Sequence, residues 1–261
     1  MNKTLFGTTR KGENVYKYSI ANSKGMEAVI MDFGAAIVDL LVPDRDGKLR
    51  DICLGYDDVT SYERETTYFG AIVGPYANRI SDAKTEIDGI EYRLDANDNE
   101  NNLHSGYNTM AKKVWTVKEH TENKIVFTYE NPHLAQGLPG NMTVTVTYEI
   151  NEENQLSISY HGVSDKTTTF NMTNHTYFNL NGWESGSVYD QKLWIKASGY
   201  TPVASAKAIP TGEVATVEGT PFDFRVAKPI GRDIDADCKQ LVFGRGYDHN
   251  YALDNETDGI E

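Results

Sequence analysis

The stretch MTVTVTYEI, residues 142–150, alternates without a break. Met142, Val144, Val146, Tyr148 and Ile150 point one way, and Thr143, Thr145, Thr147 and Glu149 the other. A period of two marks a strand with one buried and one solvated face. The same period returns on either side, in KIVFTYE at 124–130 and LSISY at 156–160. The links between them, NPHLAQGLPGN and NEENQ, carry the Gly, Pro and Asn of hairpin connections. MEAVIMDFGAAIVDLLV at 26–42 reads as a longer strand run broken at Gly34, and KLWIKA at 192–197 as a further strand. One helical signal, the acidic-led DDVTSYER at 57–64, allows a turn or two. No window carries a sustained helical stripe. Many short strands separated by turn signals predict an all-β sandwich. With no linker, internal repeat or low-complexity segment, residues 1–261 read as a single domain.

The composition narrows the function. The net charge is −13 and the isoelectric point about 4.9. Phosphate backbones are repelled by such a surface, so nucleic acid is excluded as a partner. The two cysteines, Cys53 and Cys238, form neither a disulfide framework nor a metal-binding spacing. They read as free thiols of a reducing compartment. No apolar segment opens the chain and none approaches a membrane span. The expectation is a soluble, cytoplasmic protein, monomer or homodimer, with no membrane partner.

Four segments interrupt the strand pattern with reactive or amide groups: GPYANRI at 74–80, NNLHSG at 101–106, NMTNHTYFNL at 171–180 and RGYDHNY at 245–251. They hold Asn78, Arg79, His104, Asn174, His175, Tyr177, Asp248 and His249. Taken singly, each has an ordinary explanation. Arg79 reads as a surface arginine, His104 as a loop histidine and Asp248 as a turn aspartate. His175 follows an amide among Phe170, Phe178 and Leu180, which suggests a partly buried imidazole. Together the set suits proton transfer on a neutral polyol. Imidazole titrates near neutrality, arginine offers fixed donors to hydroxyl oxygens, and aspartate accepts from hydroxyl hydrogens. No phosphate-cradling glycine loop is present. The histidines lack HxH or HxxxH spacing, so no metal is expected.

These residues carry a resemblance. FGAIVGPYANRI (69–80), NLHSG (102–106), NHTYFNL (174–180), SGYTPVASAKAIPTGEVATVEGTPFDFR (198–225) and GYDHNY (246–251) resemble, in order, the motifs of the aldose 1-epimerase (galactose mutarotase) family. The resemblance implies a galactose-mutarotase-type β-supersandwich with a sugar cleft on one sheet. It implies exchange of the α and β anomers of a free hexose such as galactose or glucose, without cofactor or metal. A carboxylate takes the proton of the anomeric hydroxyl, a histidine protonates the ring oxygen, and the ring opens, rotates about C1–C2 and closes. By position, His175 is then the general acid and His104 polarises the ring and anomeric oxygens. Arg79, Asn78, Asp248 and Tyr177 bind the sugar.

Departures from the family pattern set a second expectation. The family's base is a glutamate well beyond the GYDHNY-type motif. The sequence ends at Glu261, and LDNETDGIE (253–261) does not resemble that segment. The role is carried onto neither Glu256 nor Glu261, and the sandwich is expected to lack its C-terminal strands. The alternative reading is a non-catalytic carbohydrate-binding protein of the same fold. A hexose-phosphate epimerase lacks the basic cluster it would need, and a metal-dependent hydrolase is tested by metal analysis. Ser105 stands where the family has a second glycine after the histidine, and Ala204 where an aspartate is common.

Overall fold

The structure is a computed structural model that describes residues 2–254. The described residues fall into two compact units, one running to Ser185 and one starting at Gly186.

The first unit opens with an antiparallel sheet of β1 (Asn2–Thr8), β2 (Asn14–Ala21), β3 (Glu27–Met31), β4 (Ile37–Pro43) and β5 (Leu49–Asp51), in that order. The break at Gly34 falls in the β3–β4 corner, as the sequence suggests. Helix α1 (Val59–Arg64) follows, capped by Asp58, whose Oδ1 accepts the Ser61 N–H at 2.9 Å. Short pieces come next: β6 (Ile72–Val73), β7 (Arg79–Ile80), the hairpin of β8 (Lys84–Ile87) and β9 (Ile90–Arg93), and β10 (Asn102–Leu103), which pairs with β7.

A second antiparallel sheet is a meander of β11 (Thr116–His120), β12 (Lys124–Asn131), β13 (Met142–Ile150) and β14 (Leu156–Ser164). Strand β13 is the opening stretch, residue for residue. All five of its predicted inward residues are buried. They pack with Ile125 and Phe127 of β12 against Tyr18, Ile20, Ala28, Ile30, Ile37 and Leu40 of the first sheet, which makes a two-layer sandwich core. The Tyr148 hydroxyl crosses that core and donates to the Ala35 carbonyl at 2.7 Å.

Residues 170–181, which interrupt the strand pattern in sequence, pair only in pieces. Only β15 (Thr173–Asn174) is paired as a strand, against β6, with single bridges from Asn171 to Tyr76 and from Phe178 to Cys53. The segment is laced between two others rather than laid along one, so its backbone partners change every few residues.

The second unit contains β16 (Lys192–Leu193), β17 (Gly199–Tyr200), β18 (Ala215–Thr216), β19 (Lys228–Pro229), α2 (Lys239–Gly244) and β20 (Tyr251–Ala252). Strand β17 sits between β18 and β20, and β16 pairs with β19. Tyr200, Val217, Phe222 and Leu241 form its small core. The strand expected over 192–197 stops after Leu193. There the Trp194 indole donates to the Arg225 carbonyl and the Ala197 N–H turns back onto the Ile195 carbonyl, which ends the ladder. Helix α2 escapes sequence reading because six residues are too few to show a helical period.

Candidate active site

The site in the first unit is built on unusual backbone. Asn78, His104 and Ser105 have φ values of 64°, 52° and 66°, in the left-handed region where side chains other than Gly and Asn are uncommon. Two hydrogen bonds fix them, one between backbones and one from backbone to side chain. The His104 N–H donates to the Asn78 carbonyl, and the Asn78 N–H donates to His104 Nδ1 at 3.0 Å. The pairing of β7 with β10 holds the two loops in register.

Because Nδ1 accepts, the proton of neutral His104 sits on Nε2. Burial, with the charges of His175 and Arg79 adding to it, lowers the His104 pKa to about 4. At neutral pH this imidazole is an uncharged donor through Nε2–H.

Ser105, the departure noted in sequence, braces the loop. Its hydroxyl accepts the Tyr76 N–H and donates to the Tyr76 carbonyl, both at 2.9 Å. Arg79 is held by Asp98, with Nε 2.6 Å from Oδ2, and its Nη1 reaches Asn78 Oδ1 at 3.5 Å.

His175 follows β15 directly. Its N–H donates to the Ala71 carbonyl, and its carbonyl accepts from the Gly70 N–H. Gly70 can be nothing larger: its φ is 65°, and a β-carbon there would lie 1.9 Å from the Ile37 carbonyl oxygen. Asn174 ties the same backbone down, with Nδ2 donating to the Gly70 carbonyl at 2.7 Å and Oδ1 accepting the Thr176 N–H.

The rings of His104 and His175 meet edge to face, with centroids 5.1 Å apart. Tyr177, two residues on, lies on the same side at 5.2 Å from His175 and packs on Phe69. His175 is half-buried, as the sequence suggests, but by other residues than its apolar sequence neighbours. Phe170, Phe178 and Leu180 are 43, 52 and 66 % exposed, so they do not seat His175. Its neighbours are the rings of Tyr68, His104 and Tyr177.

The structure thus brings together Asn78, Arg79, His104, His175 and Tyr177. Asp248 belongs to the second unit, exposed in the loop after α2. Beside it, His249 Nε2 lies 3.0 Å from Gln240 Oε1 and its ring packs on Phe222, where burial lowers its pKa. Glu256 and Glu261 lie outside the described residues. Among the described residues no group of three or more His, Cys, Asp or Glu side chains could hold a metal ion, and no helix is long and apolar enough to cross a membrane. Sequence reading missed Tyr68 and Asp98. Neither repeats at a period or stands in a reactive motif, although Tyr68 directly precedes FGAIVG.

Residues 16–261 match the family model for aldose 1-epimerase. The chain belongs to the aldose 1-epimerase family. It is 36 % identical over 251 residues to the galactose mutarotase of Rattus norvegicus, covering 96 % of this chain and 71 % of that one. It is 39 % identical over 236 residues to the aldose 1-epimerase of Haemophilus influenzae, covering 90 % of this chain and 68 % of the relative. The crystal structure of galactose 1-epimerase from Lactobacillus acidophilus superposes with a TM-score of 0.86 at 28 % identity, over 99 % of this chain and 75 % of that one. The protein is therefore an isomerase of this family, and its fold is the galactose-mutarotase-type all-β sandwich.

Proposed function

We propose that this aldose 1-epimerase interconverts the α and β anomers of a free hexose, galactose or glucose. The observation that supports the reading best is the pair of imidazoles at 5.1 Å, one of which has its tautomer fixed by the Asn78 N–H.

Ring opening needs a proton delivered to the ring oxygen and one removed from the anomeric hydroxyl. His175 delivers the first. His104, neutral and donating from Nε2, steadies the negative charge that develops on the oxygens as the C1–O5 bond breaks. Its neutrality matters for His175. Two imidazolium ions at this distance would repel, so an uncharged His104 lets His175 alone carry the mobile proton. Arg79, oriented by Asp98, donates to sugar hydroxyls, and Asn78 supports it. Tyr177 offers a partly exposed ring to the sugar's apolar face. The anomeric proton goes to a carboxylate base, for which no described residue is proposed. Rotation about C1–C2 and closure, with the proton transfers reversed, give the other anomer. No cofactor takes part in these steps, and the proposed partner is the hexose alone.

Polarimetry tests the reading. Freshly dissolved α-galactose is followed with wild-type protein, with His175→Ala and with buffer. Wild type is expected to speed equilibration, and His175→Ala to lose about 10²- to 10⁴-fold of the enzymatic rate. Equal rates for wild type and buffer, or for wild type and the variant, would reject it.

A further inference from the structure

The turn that carries Gly70 also carries a residue to which the epimerase motifs give no role. Tyr68 has φ 55°, a left-handed conformation that an aromatic residue adopts at a cost and that persists only where its surroundings over-determine it. Its carbonyl accepts the Ala71 N–H, which closes the turn. The adjacent residues of that turn hold the His175 backbone: Gly70 donates to the His175 carbonyl and Ala71 accepts from its N–H. The conformation sends the Tyr68 ring to both imidazoles. Its centroid is 4.9 Å from that of His104, edge to face at 67°, and 5.7 Å from that of His175, tilted at 38°. Tyr68 thus touches both imidazoles.

We propose that Tyr68 is a positioning residue of the epimerase site, its ring fixing the angle between the His104 and His175 imidazoles and covering one face of His104 against water. The left-handed backbone is what aims the ring: in an extended conformation at the same point, the side chain would leave the turn in another direction. Burial raises the pKa of the Tyr68 hydroxyl, so the side chain is a neutral wall at any physiological pH. It adds no charge to a pair whose proton balance depends on charge. The groups facing His104 are then the Tyr68 ring, the His175 imidazole, the Arg79 guanidinium with its Asp98 partner, and the Asn78 N–H. Of these, the Tyr68 ring carries no charge and acts on the His104 titration through exclusion of water.

The role in turnover rests on the mutarotase reading, whereas the packing does not, and the test separates them. Two variants are compared with wild type. Tyr68→Gly removes the ring and suits the left-handed backbone, so loss of fold is not its expected outcome. Tyr68→Phe keeps the ring. The first readout is the titration of the His104 ring followed by NMR. Tyr68→Gly is expected to raise its midpoint by about one pH unit from its depressed value towards that of a solvated imidazole, and Tyr68→Phe to leave it in place. The second is the mutarotation rate. Tyr68→Gly is expected to lower kcat by about tenfold to a hundredfold with KM nearly unchanged, and Tyr68→Phe to retain the wild-type kcat. An unmoved His104 midpoint in Tyr68→Gly overturns the proposal whether or not the protein turns over hexose. A moved midpoint with unchanged kcat overturns the positioning role. A moved midpoint in a protein that never accelerates mutarotation upholds the packing and rejects the reading of the site as a mutarotase.

Discussion

The β11–β14 meander and the loops around His104 and His175 stand in the same unit and obey different rules. In the meander, every residue of β13 sits where a period of two puts it, and the backbone is satisfied by its neighbours strand for strand. In the site, Tyr68, Asn78, His104 and Ser105 all have positive φ, and backbone groups find partners in loops distant in sequence. The meander stores stability in buried apolar area. The site spends some of that stability on backbone strain, so that a few polar side chains point where the chemistry needs them. The two regions should therefore fail differently.

The largest difference is expected from Phe127→Ala. Phe127 of β12 is fully buried and touches Tyr18 and Tyr148 edge to face. The variant is expected to lose about 3–5 kcal/mol of stability. Its activity per folded molecule should stay at the wild-type level. Urea unfolding and polarimetry on the same sample check both halves, and an active-site change without a stability loss would erase the distinction drawn here.

The contrast also explains what the sequence could show. Regular strands announce themselves because burial of one face forces alternation, so β12, β13 and β14 could be read almost to the residue. The candidate residues His104, His175, Asn78 and Arg79 were legible through their chemistry and their motifs. Their mutual placement was not, because it depends on left-handed backbone at Tyr68 and Ser105 that no pattern announces. His175 shows the limit best. Its flanking Phe178 and Leu180 suggested the cover for a partly buried imidazole, yet they are exposed, and three rings from elsewhere in the sequence or two residues on make its surroundings. Asp98 is legible only from the structure, where it meets Arg79.

A mid-sized effect belongs to the brace under His104. Ser105→Ala removes both bonds to Tyr76 and leaves a half-buried N–H and carbonyl without that partner, for a cost of about 1–3 kcal/mol. Ser105→Gly loses the same hydroxyl but relieves the left-handed backbone, worth about 1–2 kcal/mol, of which the freer unfolded chain takes back about 0.4–1 kcal/mol. Thermal unfolding should rank wild type above Gly and Gly above Ala. The reverse order of the two variants would show that φ at this position costs little.

Asp98→Asn should touch function more than fold. The Arg79–Asp98 pair is only partly buried, and such pairs contribute about 1 kcal/mol or less to stability. Loosening the guanidinium is expected to raise KM by about tenfold, equivalent to about 1.4 kcal/mol of binding, with kcat little changed. A drop confined to kcat would move Arg79 from holding the sugar to stabilising the reaction itself.

The last contrast is a matter of sign, and it sets a buried group of the sandwich against a half-buried group of the site. Asp32, at the β3–β4 corner of the sandwich, accepts from the Tyr16 N–H at 2.9 Å and the Tyr18 hydroxyl at 3.3 Å, yet burial raises its pKa to about 6 from 3.8. Between those values the folded protein holds a proton that the unfolded chain has released, so stability falls as pH rises. Burial at His104 does the opposite. Its pKa drops to about 4 from 6.5, the unfolded chain holds the extra proton, and stability rises with pH over nearly the same window. The two slopes oppose each other in the wild type. Asp32→Asn removes the first, so its stability relative to wild type should improve from pH 4 to pH 7. His104→Gln removes the second, so its relative stability should worsen over the same range. Urea midpoints measured at both ends decide it. Parallel pH profiles for either variant and wild type would mean that burial does not displace that group's pKa, and for His104 would remove the ground for treating it as the neutral member of the pair.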